Sequence, residues 1–295
     1  MGYLFSAISL FAGATKGYCG KKMSSVASNS TAAALLNFVR MALCVVLGIF
    51  LIVIQNHMEF FTFSPTVIWI SLLSGVTTSV FVVTWLICVK HSAYMMMDVF
   101  LMLGTLVPML LGRMLFNEII TIKQWVGFFV LVAATFIMIS YNNTIKVKLT
   151  PASIILLVIC GISNGLTSFS QKSFVKILPG TPISIFNFYT YLFATITLLI
   201  FIAFMYRNEK PTFEKGSKNK FLYVIIMAIA LTVNTYFNTM AATHLDSAIL
   251  YPLTQGAGLI IASFMSVVFF KEKLSVKAII GIVLSFIGLL IMNVL

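Results

Sequence analysis

Apolar runs of about 20 residues recur along the whole chain, the length that an α-helix needs to cross a bilayer. Short polar connectors separate these runs. Because lipid cannot hydrogen-bond to the backbone, a spanning segment must satisfy its own backbone groups, and a helix does so. The pattern therefore predicts an all-α polytopic membrane protein with ten transmembrane helices, over Gly2–Gly20, Thr31–Ile54, Pro65–Val89, Ala93–Leu115, Thr121–Tyr141, Pro151–Phe174, Thr181–Tyr206, Phe221–Thr243, Ser247–Phe270 and Ser275–Val294.

The composition agrees with this pattern. Charged residues make up 9% of the 295 residues, hydrophobic residues make up 60%, and the mean hydropathy is +1.07. Roughly a quarter of the residues of a soluble domain are charged, because water must cover its surface. The composition excludes a water-soluble enzyme and predicts a multi-pass integral protein of the cell membrane.

The 19 basic residues outnumber the 7 acidic residues and give a formal net charge of +12. They lie mainly in short connectors, as expected of cytoplasmic loops, and most lie on the face opposite to the termini. That distribution favours termini outside the cytoplasm. No basic run is long enough to follow a phosphate backbone, so we predict no nucleic-acid partner. The longest polar connector, 207–220, is predicted to be an irregular loop.

No motif for catalysis or for a cofactor is visible. The four cysteines lie in or at the ends of apolar runs, and none belongs to a CxxC motif or a Cys/His cluster. The chain also contains no glycine-rich phosphate loop and no HExxH motif. We therefore expect no metal, no cofactor and no enzymatic activity.

The two halves of the chain echo each other. The segment Arg113–Glu118 (RMLFNE) reappears as Val267–Glu272 (VVFFKE), and Lys22 matches Lys172. The repeat predicts two units, residues 1–149 and 150–295, with five helices each in one membrane domain. Because five is odd, the second unit must be inverted relative to the first. Inverted repeats are typical of secondary transporters that alternate access around a site between the repeats.

These features resemble the EamA-type members of the drug/metabolite transporter superfamily. In both halves an apolar helix ends in Phe-x-Glu, at Glu118 and Glu272, and a hydroxyl residue and then a glycine follow. Gly13, Lys22 and Arg40 also fit the family pattern. The resemblance implies a ten-helix transporter, and several such relatives have cytoplasmic termini, in conflict with the connector charges. Known substrates range over amino acids, nucleobases, sugar phosphates, choline and drugs, so the resemblance does not identify the cargo.

Three charged residues lie deep in predicted helices, where a charge costs about 2.5–3.5 kcal/mol. Lys16 either extends its amine to the interface or meets an anionic substrate. Arg40 lies too deep to extend its side chain to the interface, and it needs a structural ion pair or an anionic substrate. Asp98 either pairs with one of these cations, contacts substrate, or serves as a proton-coupling carboxylate.

Neutral polar residues also recur on helix faces that we expect to point into the protein. Each amide could simply bond to a neighbouring helix, but together they predict a polar cavity. Pro252 should kink the ninth helix and free a backbone carbonyl there. Trp85, Tyr189 and Tyr251 could form walls of the predicted cavity. The predicted substrate-binding residues are Lys16, Arg40, Trp85, Asp98, Asn164, Asn234, Asn238, Tyr251 and Gln255.

The sequence thus predicts a secondary transporter that moves a small polar metabolite, an amino acid or a related anionic or zwitterionic solute, by alternating access. Proton coupling and exchange both stay open. The main alternative is an exporter of cationic drugs or toxic amphiphiles, although the first helix lacks the acid that small multidrug pumps use. A membrane-embedded enzyme and a receptor are less favoured. Expected partners are the substrate, membrane lipid and, under coupling, protons, with the protein a monomer or weak homodimer.

Overall fold

The computed structural model describes residues 1–24, 26–61, 64–91, 100–140, 151–214, 220–270 and 276–293. These residues contain ten α-helices and a short 3₁₀ helix, Met58–Phe60. Residues 100–104 are also helical and lead into α4 through a turn at Thr105. The helices are α1 Gly2–Ser24, α2 Ser30–Ile54, α3 Pro65–His91, α4 Leu106–Phe116, α5 Ile122–Ser140, α6 Pro151–Ile177, α7 Ile183–Asn208, α8 Lys220–Ala242, α9 Ser247–Phe270 and α10 Val276–Asn293.

Six of these helices, α2, α3, α6, α7, α8 and α9, are long and apolar enough to cross a membrane. Three shorter apolar helical stretches lie at Phe100–Phe116, Ile122–Ile137 and Ile279–Met292. The prediction of an all-helical membrane protein is confirmed. That all ten helices cross the bilayer stays a prediction.

The helices pack in a pattern with two-fold character. Helix α1 packs along α8, and its repeat equivalent α6 packs along α3. Helices α2 and α7, which the repeat relates to each other, form one contact, and α5 and α10 form another. This pairing is what two related five-helix units would produce. Their division at residue 149 and their inverted orientation stay predictions.

Glycines allow α6 to cross the helical residues 100–104, which precede α4, at backbone contact. A Cβ added to Gly104 would lie 2.2 Å from the carbonyl oxygen of Gly161, and one added to Gly165 would lie 2.2 Å from that of Gly104. Gly161 and Gly165 are four residues apart, as in the small-residue motifs of membrane helix pairs. The close crossing brings the polar face of α6 into the centre of the molecule.

The connectors that follow α1 and α7 meet at one face of the molecule. Ala27 and Phe213 form an isolated antiparallel bridge, and Ser28 N–H donates to the Thr212 carbonyl at 3.0 Å. Asn29 caps α2 by accepting from Ala32 N–H at 2.9 Å and donates to the Lys210 carbonyl at 2.6 Å. Helix α7 ends at Asn208, and residues 209–214 contain no regular element beyond this bridge, so the prediction of an irregular loop over 207–220 is confirmed for residues 209–214. Below, this side is called the α1-end face, and the side where α6 ends is called the α6-end face.

Candidate substrate-binding site

A cavity of about 210 Å³ lies between the two halves of the chain. Its wall comes from α1, α2, α3, residue 101, α6, α8 and α9, so both halves of the chain contribute. Every predicted site residue that the structure describes is among the lining residues, and Asp98 lies outside the described residues. The predicted residues in the lining are Lys16, Arg40, Trp85, Asn164, Asn234, Asn238, Tyr251 and Gln255.

One wall of the cavity is basic. Lys16 is partly buried and donates a long hydrogen bond of 3.5 Å to Asn234 Oδ1. Arg40 is only 4% exposed, and its Nε has no hydrogen-bond partner among the described residues. No aspartate or glutamate belongs to the described lining. Within the described part of the chain, the two cations therefore face the cavity without a neutralising carboxylate.

Asn234 fixes Lys16 in place by joining α8 to α1. Its Nδ2 donates to the Ser9 carbonyl at 2.8 Å and to Ser9 Oγ at 2.9 Å, and Ser9 Oγ donates back to the Asn234 carbonyl at 3.0 Å. Gly13 makes room for this contact, since a Cβ there would lie 3.2 Å from Asn234 Nδ2. The amide nitrogen is thus used within the protein, and the amide oxygen faces Lys16.

Another part of the wall carries neutral amides. Asn238 Nδ2 donates to Gln171 Oε1 at 2.8 Å, and Asn238 Oδ1 is buried without a hydrogen-bond partner in the described structure. The sequence analysis did not single out Gln171. It lies seven residues after Asn164 and three after Ser168, and that spacing places all three on one face of α6. The face periodicity was the signal that could have found it.

Two aromatic residues complete the wall. Tyr251 is 2% exposed and donates from its hydroxyl to the Ser168 carbonyl at 2.6 Å. Trp85 packs against Gly20, where an added Cβ would lie 2.4 Å from the indole ring. Tyr189, the third predicted wall residue, is not part of the lining. It packs instead with Ile52, Val67 and Ile185, because its side of α7 faces α2 and α3.

A second polar cluster lies beyond the cavity, toward the α6-end face, and is called here the Lys172 cluster: Lys172, Glu118, Asp246 and Ser247. Lys172 Nζ lies 2.9 Å from Glu118 Oε1, and both side chains are 2% exposed. The same amine donates to the carbonyls of Leu245 at 2.6 Å and Ala242 at 3.1 Å, and lies 3.9 Å from Asp246 Oδ1. Ser247 N–H donates to Glu118 Oε2 at 2.8 Å at the start of α9. Glu118 thus has its partners within the protein and does not face the cavity.

Comparison with known proteins agrees with this architecture. Twenty-eight chains of solved structures match, and one of them, titled "Crystal structure of protein", superposes with a TM-score of 0.75 over 99% of this chain and 96% of its own. At 14% identity this likeness concerns the fold alone. No curated protein matches the chain. The model of the EamA-like transporter family matches residues 151–294, the second half of the chain. This half is therefore similar to the EamA-like transporters, a family of integral membrane transporters of small solutes.

Proposed function

We propose that this protein is a secondary transporter of a small polar metabolite with an anionic group, such as an amino acid or a related carboxylate. The observation that carries the proposal is the pair Lys16 and Arg40, which line a cavity between the repeats and have no carboxylate partner among the described residues. The match of residues 151–294 to the EamA-like family model supports transport of a small solute but does not specify which one.

An anionic substrate group would answer the electrostatic problem that this wall presents. A buried cation loses hydration, and pairing with an opposite charge or with hydrogen-bond acceptors offsets part of that loss. Lys16 has one long contact to Asn234, and Arg40 keeps its Nε unpartnered in the described structure. A carboxylate between the two cations would accept charge-assisted hydrogen bonds, which are shorter and stronger than neutral ones.

The remaining cavity residues would orient the rest of the substrate. Asn238 Oδ1 offers a free acceptor at one end of the cavity, and Asn164 and Gln255 add further amides. The Trp85 and Tyr251 rings bound the cavity and would exclude water from an apolar portion of the substrate. A polar metabolite with an anionic head and a hydrogen-bonding tail fits this division.

In the proposed cycle the two repeat units rock around the bound substrate and expose the cavity to each side of the membrane in turn. The energy source is either exchange against another solute or proton coupling. The candidate for coupling comes from the sequence alone. Asp98 is the single acidic residue deep in a predicted helix, and a desolvated carboxylate there could load and release a proton.

Uptake into proteoliposomes tests the proposal. Purified protein would be assayed with anionic, zwitterionic and cationic solutes, with and without a pH gradient. We expect uptake of an anionic or zwitterionic solute by the unaltered protein and loss of that uptake in Lys16→Met. The control is Lys176→Met, because Lys176 is exposed near the end of α6 and does not line the cavity.

Uptake limited to cationic amphiphiles and insensitive to Lys16→Met would instead support the drug-exporter alternative. If a pH gradient drives uptake, Asp98→Asn tests the coupling role. Coupling through Asp98 predicts that flux no longer responds to the gradient, whereas an unchanged response would end that part of the proposal.

A further inference from the structure

The Lys172 cluster joins the two halves of the chain at one end of the cavity. Glu118, which follows α4, comes from the first repeat unit, and its partners Lys172 and Ser247 come from the second. The contact is tight, since a Cβ added to Gly112 would lie 2.7 Å from Glu118 Oε2 and 2.9 Å from Ser247 Oγ. The ion pair therefore holds together elements that a rocking motion of the repeats would separate.

The cluster directly adjoins cavity residues. Gln171, which bonds to Asn238 in the cavity wall, is the sequence neighbour of Lys172. Tyr251 lies one turn after Ser247 in α9 and bonds to Ser168, one turn before Lys172 in α6. The cavity lining ends at this level, and none of the four cluster residues belongs to it. The ion pair thus lies between the cavity and the α6-end face.

We propose that the ion pair between Lys172 and Glu118 is a lock that closes the cavity at the α6-end face and that opens during transport. This inference rests on the proposed alternating-access function. Lys172 and Glu118 act as positioning residues in it, because neither contacts the cavity in which substrate would bind. Opening separates the ion pair and connects the cavity with the α6-end face.

A buried ion pair is suited to a lock that must open repeatedly. The attraction between two buried charges is largely offset by their lost hydration, so forming such a pair and separating it in water differ little in free energy. An apolar plug of the same size would resist opening, because each opening would expose apolar surface to water. When the pair re-forms, Lys172 also regains its hydrogen bonds to two backbone carbonyls, and Glu118 regains the one from Ser247 N–H.

Sided labelling of a cavity cysteine tests the lock without any knowledge of the substrate. Thr254→Cys places a thiol in the cavity wall, and the four native cysteines are each at most 3% exposed. A membrane-impermeant maleimide would be applied to each face of proteoliposomes. With the lock intact, we expect labelling from the α1-end face and little from the α6-end face. Adding Lys172→Met should raise labelling from the α6-end face about tenfold or more, since the lone carboxylate then gains hydration by opening.

Two further variants make the outcome decisive. Lys176→Met, four residues further along α6 and exposed, should leave the sidedness unchanged. Glu118→Gln is the milder lock variant, because its amide oxygen still accepts from Ser247 N–H, and it should also label from both faces. One-sided labelling in both lock variants would overturn the proposal. So would failure of both to yield monodisperse protein when Lys176→Met does, because the pair would then be needed only for folding. Since no substrate enters this assay, its result is independent of the uptake screen.

Discussion

Lys16 and Lys172 are both lysines in the interior of an apolar helical protein, on helices that the repeat relates to each other, yet their surroundings differ. Lys172 has a carboxylate at 2.9 Å and two carbonyl oxygens within hydrogen-bonding distance. Lys16 has one amide oxygen at 3.5 Å and a second cation, Arg40, in the same cavity wall. The protein compensates one charge itself and, among the described residues, leaves the other largely uncompensated. The comparison teaches that the partners of a buried charge, rather than its presence, separate a structural group from a candidate ligand-binding group.

The largest effect on stability is expected at Lys172, the lysine whose charge the protein itself compensates. Lys172→Met removes the cation from the Glu118 carboxylate, and an unpaired carboxylate that stays buried costs about 3–5 kcal/mol. We expect the free energy of unfolding, measured by denaturant titration of the purified protein in detergent, to fall by at most that amount, because opening of the lock returns the carboxylate to water. The double variant Lys172→Met with Glu118→Gln should recover most of the loss, because no unpaired charge remains. If the double variant is as unstable as the single one, packing rather than charge holds the cluster together.

The same substitution at Lys16 should affect substrate binding rather than stability. Lys16→Met removes a charge that has no described carboxylate partner, so the stability should stay equal or rise. Binding of an anionic substrate should weaken by about 10- to 100-fold, the value of one charge-assisted hydrogen bond of about 1.5–3 kcal/mol. The two readouts are the unfolding titration and a substrate dissociation constant. A large stability loss without a change in affinity would make Lys16 a structural residue like Lys172.

A substitution that changes no charge separates the effect of cavity shape from that of the buried charges. Gly20→Ala would place a methyl group 2.4 Å from the Trp85 ring and force that ring to move. We expect a stability loss of about 1–3 kcal/mol, typical of overpacking, together with weaker binding. Gly258→Ala is the control for stability, since its added methyl would lie 3.9 Å from the nearest neighbour, in Leu10, and would point into the cavity that Gly258 lines. An equal loss of stability in the two variants would show that the position of Trp85 does not matter for packing.

The smallest effect is expected from the amide wall. Asn238→Ala removes the hydrogen bond to Gln171, and such interhelical bonds are worth on average about 0.6 kcal/mol. Stability should therefore change little, while selectivity among substrates that share the anionic group should change more. Competition by a series of such substrates would measure this. An unchanged order of competition would remove Asn238 from the set of specificity determinants.

Much of the site could be predicted from the sequence because a polar group in an apolar run must have a reason. Lys16, Arg40 and the amides stand out against their helices, and the structure places them around one cavity. The apolar runs predicted an all-helical fold, and the repeated motifs gave the resemblance to the family. Both predictions depended on the local contrast between polar residues and apolar runs and on the spacing of motifs, which the sequence displays directly.

The parts that the sequence did not predict depend on tertiary contacts. Lys172 lies close to a predicted helix end, where a lysine normally reaches water, and only the folded chain brings Glu118 within 2.9 Å of it. Gln171 differs, because the face of α6 that it shares with Asn164 and Ser168 is a periodicity that the sequence does display. Tyr189 was predicted to line the cavity, but its side of α7 packs against α2 and α3. Helix α7 is apolar on all sides, so its sequence gives no signal of which face points to the cavity.

The central claim is that Lys16 and Arg40 form the anion-binding wall of a transport site. Ligand-induced stabilisation tests it most directly, because a ligand that binds only the folded state raises the unfolding temperature. A panel of small carboxylates, zwitterions and organic cations would be screened on the unaltered protein, on Lys16→Met and on Lys176→Met. The account predicts that a carboxylate-bearing solute raises the unfolding temperature of the unaltered protein and of Lys176→Met, but not of Lys16→Met. Stabilisation by cations alone, or by a carboxylate equally in all three proteins, would contradict it.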